Sequence, residues 1–118
     1  MPTVYVTGAE QFVDVAAITE VLGRLVARFR EAGELPVLLT AGNPGAEATA
    51  EHWWRSKGLP VERLRLLERH NTSQAPYLLA HKAVMSDPDF VVIFGTSKPA
   101  VKAIREAGRA GIPTLHIN

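Results

Sequence analysis

Four consecutive residues between an apolar run and a helical pattern have the chemistry to hold a phosphate. Gly95, Thr96, Ser97 and Lys98 follow FVVIF and precede a stretch with helical periodicity. The two hydroxyls can donate hydrogen bonds and the lysine can neutralise an anion, next to the unpaired N–H groups of a helix start. Alternatively, Ser97 only caps the helix and Lys98 is a solvated first-turn residue. The turn matches no Walker A or dinucleotide glycine pattern, so both interpretations stay open.

A second glycine-containing turn carries a carboxylate. The segment AGNPG (41–45) follows the apolar run PVLLT, and Glu47 stands in the first turn of the next predicted helix. Gly42 and Gly45 would let the backbone come close to a ligand, and Asn43 lies between them. Glu47 could hold ribose hydroxyls or act as a general acid or base. The structural alternative is a favourable charge–dipole interaction at the helix start.

Apolar patterning indicates the elements that must position these turns. Continuous apolar runs predict strands at about residues 3–7, 36–40, 61–66, 90–94 and 114–117. Helical periodicity and end signals predict helices at about residues 14–32, 45–57, 75–86 and 99–110, with Asp14 capping the first and Gly33 ending it. Alternation of such strands with helices is typical of a parallel sheet covered on both faces. We predict one three-layer α/β domain over residues 1–118, with a five-stranded parallel sheet.

The candidate residues should converge at one edge of this sheet. Ligands of open parallel sheets bind beyond the carboxyl ends of the strands, where the strand order reverses. The expected edge contains Gly8, the turn 41–45, the loop that holds His70 and Asn71, and the turn 95–98. We predict a phosphate at the turn 95–98, with ribose or base near Gly8 and residues 42–47.

Composition excludes several other classes of function. The formal net charge is +1, which gives no case for binding nucleic acid or a membrane surface. No cysteine is present, so disulfides and thiolate catalysis are excluded, and the four histidines lack metal-ligand spacing. We expect no metal and no cofactor. The chain opens on a strand pattern and has no apolar run of membrane-spanning length, so we expect a cytoplasmic protein.

Two adjacent tryptophans complete the set of residues with a predicted role. Trp53 and Trp54 cannot face the same way on one helix. One should pack against the sheet, and the other should mark a dimer surface or the wall of a pocket.

The segment PVLLTAGNPGAEATAEHWWRSKGLPVE (36–62) resembles the SLOG superfamily, in particular its small YspA-like, YpsA-related branch. These proteins are related to the lonely-guy phosphoribohydrolases and to DNA-processing protein A. VYVTG resembles the first strand of the family, and AIREAGRAGIPTLHI its last helix and strand. The matching positions are Ala41, Gly42, Gly45, Ala46, Glu47, Trp53 and Gly58 to Val61.

The resemblance implies a Rossmann-like domain that binds a nucleotide or nucleotide-derived ligand and forms a homodimer. The chain departs from the catalytic pattern of the phosphoribohydrolases, because Lys102 and Ala103 stand where their glutamate is expected and Ala9 and Glu10 where an arginine is expected. We therefore predict binding without the standard phosphoribohydrolase activity. Two alternatives stay open: a divergent nucleotide N-glycosidase with Glu47 or Glu10 as its acid–base group, and a protein-interaction module with a vestigial site.

Overall fold

The computed structural model describes residues 1–64 and 75–117, and in this part strands and helices alternate throughout. The strands are β1 (Thr3–Gly8), β2 (Val37–Thr40), β3 (Val61–Arg63), β4 (Phe90–Phe94) and β5 (Thr114–Ile117). The helices are α1 (Val15–Glu31), α2 (Ala46–Ser56), α3 (Ala75–Met85) and α4 (Lys98–Ala110). The predicted boundaries agree to within one residue, except at the end of β3.

The third strand ends before the end of its apolar run. It ends at Arg63, so Leu64 is outside it, and residues 65 and 66 of the predicted strand lie outside the described residues. Leu64 still donates its N–H to the carbonyl of Thr40, at 2.8 Å. Thr40 is the last residue of β2, so the neighbouring strand offers no further ladder partner beyond it.

All five strands are parallel, in the order β3-β2-β1-β4-β5. The chain builds outward from β1 to β2 and β3, and then crosses to the other side of β1 to add β4 and β5. The strand order therefore reverses between β1 and β4, where Gly8 pairs with Phe94 at the carboxyl end. This is the point of the sheet at which a ligand cleft is expected.

Alternating side chains of β1 divide the core into two layers. Val4 and Val6 pack with residues of α1 and α2, whereas Tyr5 faces α3 and α4. Helix α4 approaches the sheet through buried alanines at helical spacing, Ala100, Ala103 and Ala107. The sheet is thus covered on both faces, which confirms the predicted three-layer α/β fold.

Local signals on the first two helices act as the sequence indicates. Asp14 accepts a hydrogen bond from the N–H of Ala17 at 3.0 Å, and Gly33 follows α1 at a φ of +76°.

Trp54 is fully buried in the core, whereas Trp53 is partly buried, with the Lys57 ammonium 5.7 Å from its ring centre. Within the described residues, no helix has the length and hydropathy to cross a membrane.

Candidate functional site

The carboxylate of Glu47 lies at the centre of the carboxyl edge of the sheet, with only 3% of the residue exposed. Its Oε1 accepts hydrogen bonds from the Thr40 hydroxyl at 3.2 Å and from the Ala41 N–H at 3.0 Å. Its Oε2 accepts from the Asn43 amide at 3.1 Å and faces the Thr7 hydroxyl at 3.5 Å. One carboxylate therefore joins the ends of β1 and β2 to the turn between β2 and α2.

Burial and hydrogen bonding act on Glu47 in opposite directions. Removal from water raises the pKa of this carboxyl group, and the bonds from Asn43, Ala41 and Thr40 offset part of that rise. The side chain thus does more than complement the dipole of α2, since it organises the turn 41–45. Perturbed carboxyl groups in clefts are frequent at functional sites.

A cleft of about 320 Å³ opens beside Glu47 at the point where the strand order reverses. Its walls come from the ends of β1 and β2, the turn 41–45, the loop after β1, and the start of α4. The lining residues are Tyr5, Thr7, Gly8, Glu10, Gln11, Ala41, Asn43, Pro44, Glu47, Ser97 and Pro99. Hydroxyl, amide and carboxylate groups predominate among the polar side chains, and no lysine or arginine of residues 1–64 and 75–117 lines the cleft.

Tyr5 contributes a buried phenol to this cleft. Only 2% of the residue is exposed, and removal from water raises the pKa of its hydroxyl well above the usual value. A hydrogen bond with Thr7 opposes that rise, and the nearby Glu47 adds to it. The hydroxyl therefore stays protonated and can act as a hydrogen-bond donor.

Close backbone approaches at two glycines fix the shape of the cleft. A Cβ on Gly8 would lie 2.5 Å from the Phe94 carbonyl oxygen and 2.8 Å from the Ala46 Cβ. Gly45 has a φ of +90°, and a Cβ there would collide with the Glu10 carbonyl oxygen. The absence of side chains at these positions lets the loop after β1 pack directly on β4 and on the start of α2.

The turn between β4 and α4 is held by the last strand. Gly95, at a φ of +79°, donates its N–H to the Ile117 carbonyl at 2.6 Å. The His116 Nε2 lies 2.8 Å from the Gly95 carbonyl oxygen, which can only accept, so the ring nitrogen donates. Ser97 follows with extended backbone and accepts a hydrogen bond from the Ala100 N–H at 3.2 Å. Ser97 is thus both the cap of α4 and a wall of the cleft.

The predicted site residues occupy three different positions. Gly8, Asn43, Glu47 and Ser97 line the cleft. Thr96 and Lys98 line a separate groove on the outer side of α4, which Ser97 also borders. The other predicted glycines, Gly42, Gly45 and Gly95, have positive φ and shape the turns without lining the cleft. His70 and Asn71 lie outside the described residues.

Tyr5, Thr7 and Thr40 are cleft or carboxylate-binding residues that the sequence analysis missed. All three lie within runs that were interpreted only as buried strands. Tyr5 and Thr7 are two residues apart and therefore face the same side of β1. The signal that could have identified Tyr5 and Thr7 as site residues is the presence of hydroxyl groups at alternate positions of an otherwise apolar strand.

A charged pair borders the turn 41–45 on its other side. Arg63, at the end of β3, donates from Nε and Nη2 to the two carboxylate oxygens of Glu51, at 2.9 and 2.8 Å. Its guanidinium lies against Gly42, where a Cβ would be 2.8 Å from the Arg63 Nε. The missing side chain at Gly42 makes room for this arginine. In the described part of the chain, no three histidine or acidic side chains cluster as metal ligands would.

The strand order and the position of the cleft define a Rossmann-like α/β domain with a polar site at the strand-order reversal. A model of the YspA, cpYpsA-related SLOG family (YAcAr) matches residues 2–70, more than half of the chain. The chain belongs to this family. The resemblance inferred from residues 36–62 is thereby confirmed, although the match ends before the turn at Gly95.

Solved structures with the same fold share little sequence with this chain. The TM1055 structure is 17% identical, with a TM-score of 0.68 over 97% of this chain and 72% of its own. A universal stress protein from Archaeoglobus fulgidus is 18% identical, with a TM-score of 0.54 over 100% and 95%. The S. aureus MnaA-UDP co-structure is 14% identical, with a TM-score of 0.52 over 98% and 29%. The comparison with curated proteins gave no match.

Proposed function

We propose that this domain binds a nucleotide or nucleotide-derived ligand in the cleft beside Glu47. The observation that carries the proposal is the convergence of hydroxyl, amide and carboxylate groups at the strand-order reversal, bordered by the capped start of α4. The cleft volume of about 320 Å³ is within the range of small-molecule sites. Family membership supports a nucleotide-related ligand.

The nucleoside part of the ligand would occupy the cleft itself. Ribose hydroxyls are good partners for carboxylate and amide oxygens, and Asn43 and Glu47 both line the cleft. Tyr5 and Thr7 offer further hydroxyls at its base. Among the described residues no cation lines the cleft, which favours the neutral part of a nucleotide there rather than its phosphate.

The phosphate would lie at the N-terminus of α4. The oxygen of Ser97 accepts from the Ala100 N–H, which leaves its hydroxyl hydrogen available to donate. Lys98 is exposed and makes no ion pair with another described residue. Pro99 has no N–H, and the Ala100 N–H is already bonded to Ser97. The Lys98 N–H and ammonium, together with the Ser97 hydroxyl, would therefore hold the anion. The phosphate would thus border both the cleft and the outer groove.

The positions of Lys102 and Ala103 support binding without the standard phosphoribohydrolase activity. The resemblance places the catalytic glutamate of those enzymes at this point of α4. Ala103 is fully buried among core residues, and Lys102 lines the outer groove. Neither side chain lines the cleft, so neither substitutes for the missing acid.

A divergent N-glycosidase is the second candidate, and the raised pKa of the buried Glu47 carboxyl favours it. Against it, both oxygens of Glu47 already accept hydrogen bonds from the protein. Prolonged incubation with nucleoside monophosphates would distinguish the two. Free base that appears with the wild type and is absent with Glu47→Gln would establish catalysis, whereas intact nucleotide would exclude it.

Thermal unfolding with a ligand panel tests the binding proposal. The panel contains AMP, GMP, CMP, ADP-ribose and NAD at millimolar concentration. A ligand at 100 times its Kd stabilises the fold by about 2.7 kcal/mol, which raises Tm by several degrees in a domain of this size. We expect such a shift with at least one nucleotide. No shift across the panel would overturn the proposal and favour the interaction-protein alternative.

A further inference from the structure

The outer side of α4 carries a groove of about 790 Å³, which the proposed function uses only at its first turn. It runs along the helix from its first turn to its last. The residues that line it are Thr96, Ser97, Lys98, Val101, Lys102, Arg105, Glu106 and Arg109. Its chemistry is different from that of the cleft, whose described lining residues include no cation.

Positive charge is concentrated along this groove. Lys98, Lys102, Arg105 and Arg109 are spaced by four, three and four residues, which places them on one face of the helix. Glu106 is the one acidic side chain among the lining residues. It is already engaged by the His81 ring nitrogen at 3.1 Å and the Lys102 ammonium at 3.8 Å. Because the whole chain has a net charge of only +1, this face is strongly positive relative to the rest of the surface.

The groove and the cleft meet at Ser97, which lines both. A phosphate at the start of α4 would therefore stand at their junction. Any further anionic group of the same ligand could then enter the groove and contact the cations of α4. Lys98 and Arg109 are about 16 Å apart along the helix axis, at 1.5 Å per residue. That length accommodates a few phosphates.

We propose that the ligand is a phosphodiester-linked dinucleotide or short oligonucleotide whose second phosphate lies along α4. This inference rests on the proposed function, because it assumes a nucleoside in the cleft. None of the described side chains that line the groove is aromatic, so successive bases of a long single strand would find no ring there to stack on. The groove therefore favours a short ligand. Arg105 and Lys102 would hold the second phosphate by charge-assisted hydrogen bonds.

The test compares the four ribonucleoside 5′-monophosphates with the matching 5′-phosphorylated homodinucleotides by calorimetric titration. For the base that binds, we expect the dinucleotide to bind about tenfold or more tightly than the mononucleotide, as one charge-assisted contact would give. In Lys102→Ala/Arg105→Ala, the dinucleotide should lose that advantage. The mononucleotide should bind the variant about as it binds the wild type.

Arg24→Ala/Arg28→Ala is the matched control, because it removes the same charge from the exposed face of α1. It should leave both affinities unchanged at constant salt. Equal binding of mononucleotide and dinucleotide to the wild type would overturn this inference and leave the proposed function intact. Failure of every mononucleotide and dinucleotide to bind would overturn this inference, and it would overturn the proposed function as well if ADP-ribose and NAD also give no shift in Tm. Tight, salt-sensitive binding of a 20-nucleotide strand without mononucleotide binding would indicate a nucleic-acid surface instead, and would also overturn it.

Discussion

Arg63 holds the carboxylate of Glu51 at both oxygens, across the turn between β2 and α2. The pair links the end of β3 to α2, and the guanidinium lies against Gly42. This bidentate contact lowers the pKa of Glu51, against the effect of partial burial, with a smaller contribution from Arg55. We therefore expect the turn 41–45 to lose this contact when Glu51 is protonated.

The Arg63–Glu51 pair should contribute to stability in a pH-dependent manner. A carboxyl group whose pKa is lowered by folding stabilises the fold above its unfolded value of about 4.5. That contribution to stability is lost as the pH falls through the lower pKa that Glu51 has in the folded state. We expect Arg63→Ala to be less stable than the wild type near pH 7, with a difference that narrows below pH 4.5 in denaturant titrations.

Arg55→Ala is the control for this pair. Arg55 contacts the Glu51 carboxylate at a single point, with 3.4 Å between the atoms, and is mostly exposed. It should lower stability less than Arg63→Ala does. If the difference in the free energy of unfolding between the wild type and Arg63→Ala does not change with pH, the proposed contribution of this ion pair is wrong.

Glu47 should show the opposite dependence on pH. Folding raises the pKa of this carboxyl, so its ionised form disfavours the fold as pH rises above about 4.5. Gln cannot ionise. The free energy of unfolding of Glu47→Gln should therefore rise relative to the wild type as pH increases from 4 to 7. Chemical denaturation across this pH range measures the trend. A difference in the free energy of unfolding between Glu47→Gln and the wild type that stays constant with pH would contradict it.

Truncation of Glu47 should be more harmful than its replacement by Gln. Glu47→Ala leaves the Ala41 N–H and the Asn43 amide without their acceptor, and a buried unsatisfied group costs about 1–3 kcal/mol. In Glu47→Gln, the side-chain oxygen can replace Oε1 while the Thr7 hydroxyl and a flipped Asn43 accept from the new amide. Equal losses of Tm in the two variants would contradict the hydrogen-bonding role.

Gly8 should tolerate no side chain. In Gly8→Ala the added Cβ meets the Phe94 carbonyl oxygen at 2.5 Å, and both strands would have to move. We expect a destabilisation of about 1–3 kcal/mol, as for overpacked cores. Gly108→Ala is the control, because a Cβ there meets no neighbour within 4 Å and alanine favours helix by about 1 kcal/mol. Thermal unfolding should show opposite shifts, and a neutral Gly8→Ala would contradict the close approach.

The Lys98 side chain should contribute to nucleotide binding but not to the stability of the fold. If it neutralises a phosphate at the start of α4, Lys98→Ala should weaken nucleotide affinity by about 1.5–3 kcal/mol. Calorimetric titration with the nucleotide identified in the panel measures this change. Lys57→Ala, on the far side of the domain near Trp53, should leave affinity unchanged. An unchanged affinity in Lys98→Ala would place the phosphate elsewhere.

Periodicity and turn chemistry were sufficient to predict the architecture. Continuous apolar strands, the Asp14 cap and the Gly33 stop are local signals, so they could be interpreted without knowledge of the neighbours. The end of β3 has no such local signal, because it depends on where β2 ends and no longer offers hydrogen-bond partners. A strand boundary set by a neighbouring strand is not contained in its own sequence.

The candidate site was only partly predictable for a related reason. Gly8, Asn43, Glu47 and Ser97 line one cleft because each lies at the end of a strand or in the segment that follows it. The separation of Lys98 from that cleft depends on the rotation of α4, which a turn sequence does not specify. The burial of Glu47 likewise depends on hydroxyls from two different strands, Thr7 and Thr40.

The hydrogen bonds from Gly95 to Ile117 and from His116 to Gly95 couple the proposed phosphate turn to an edge strand. Edge elements open more readily than central ones, so fraying of β5 would release the turn in the same event. A bound phosphate would have to be lost before that opening. Amide exchange in residues 114–117, at a distance from the cleft, should therefore slow in proportion to occupancy of the site. The last strand would act as a reporter of ligand binding as well as a part of the scaffold.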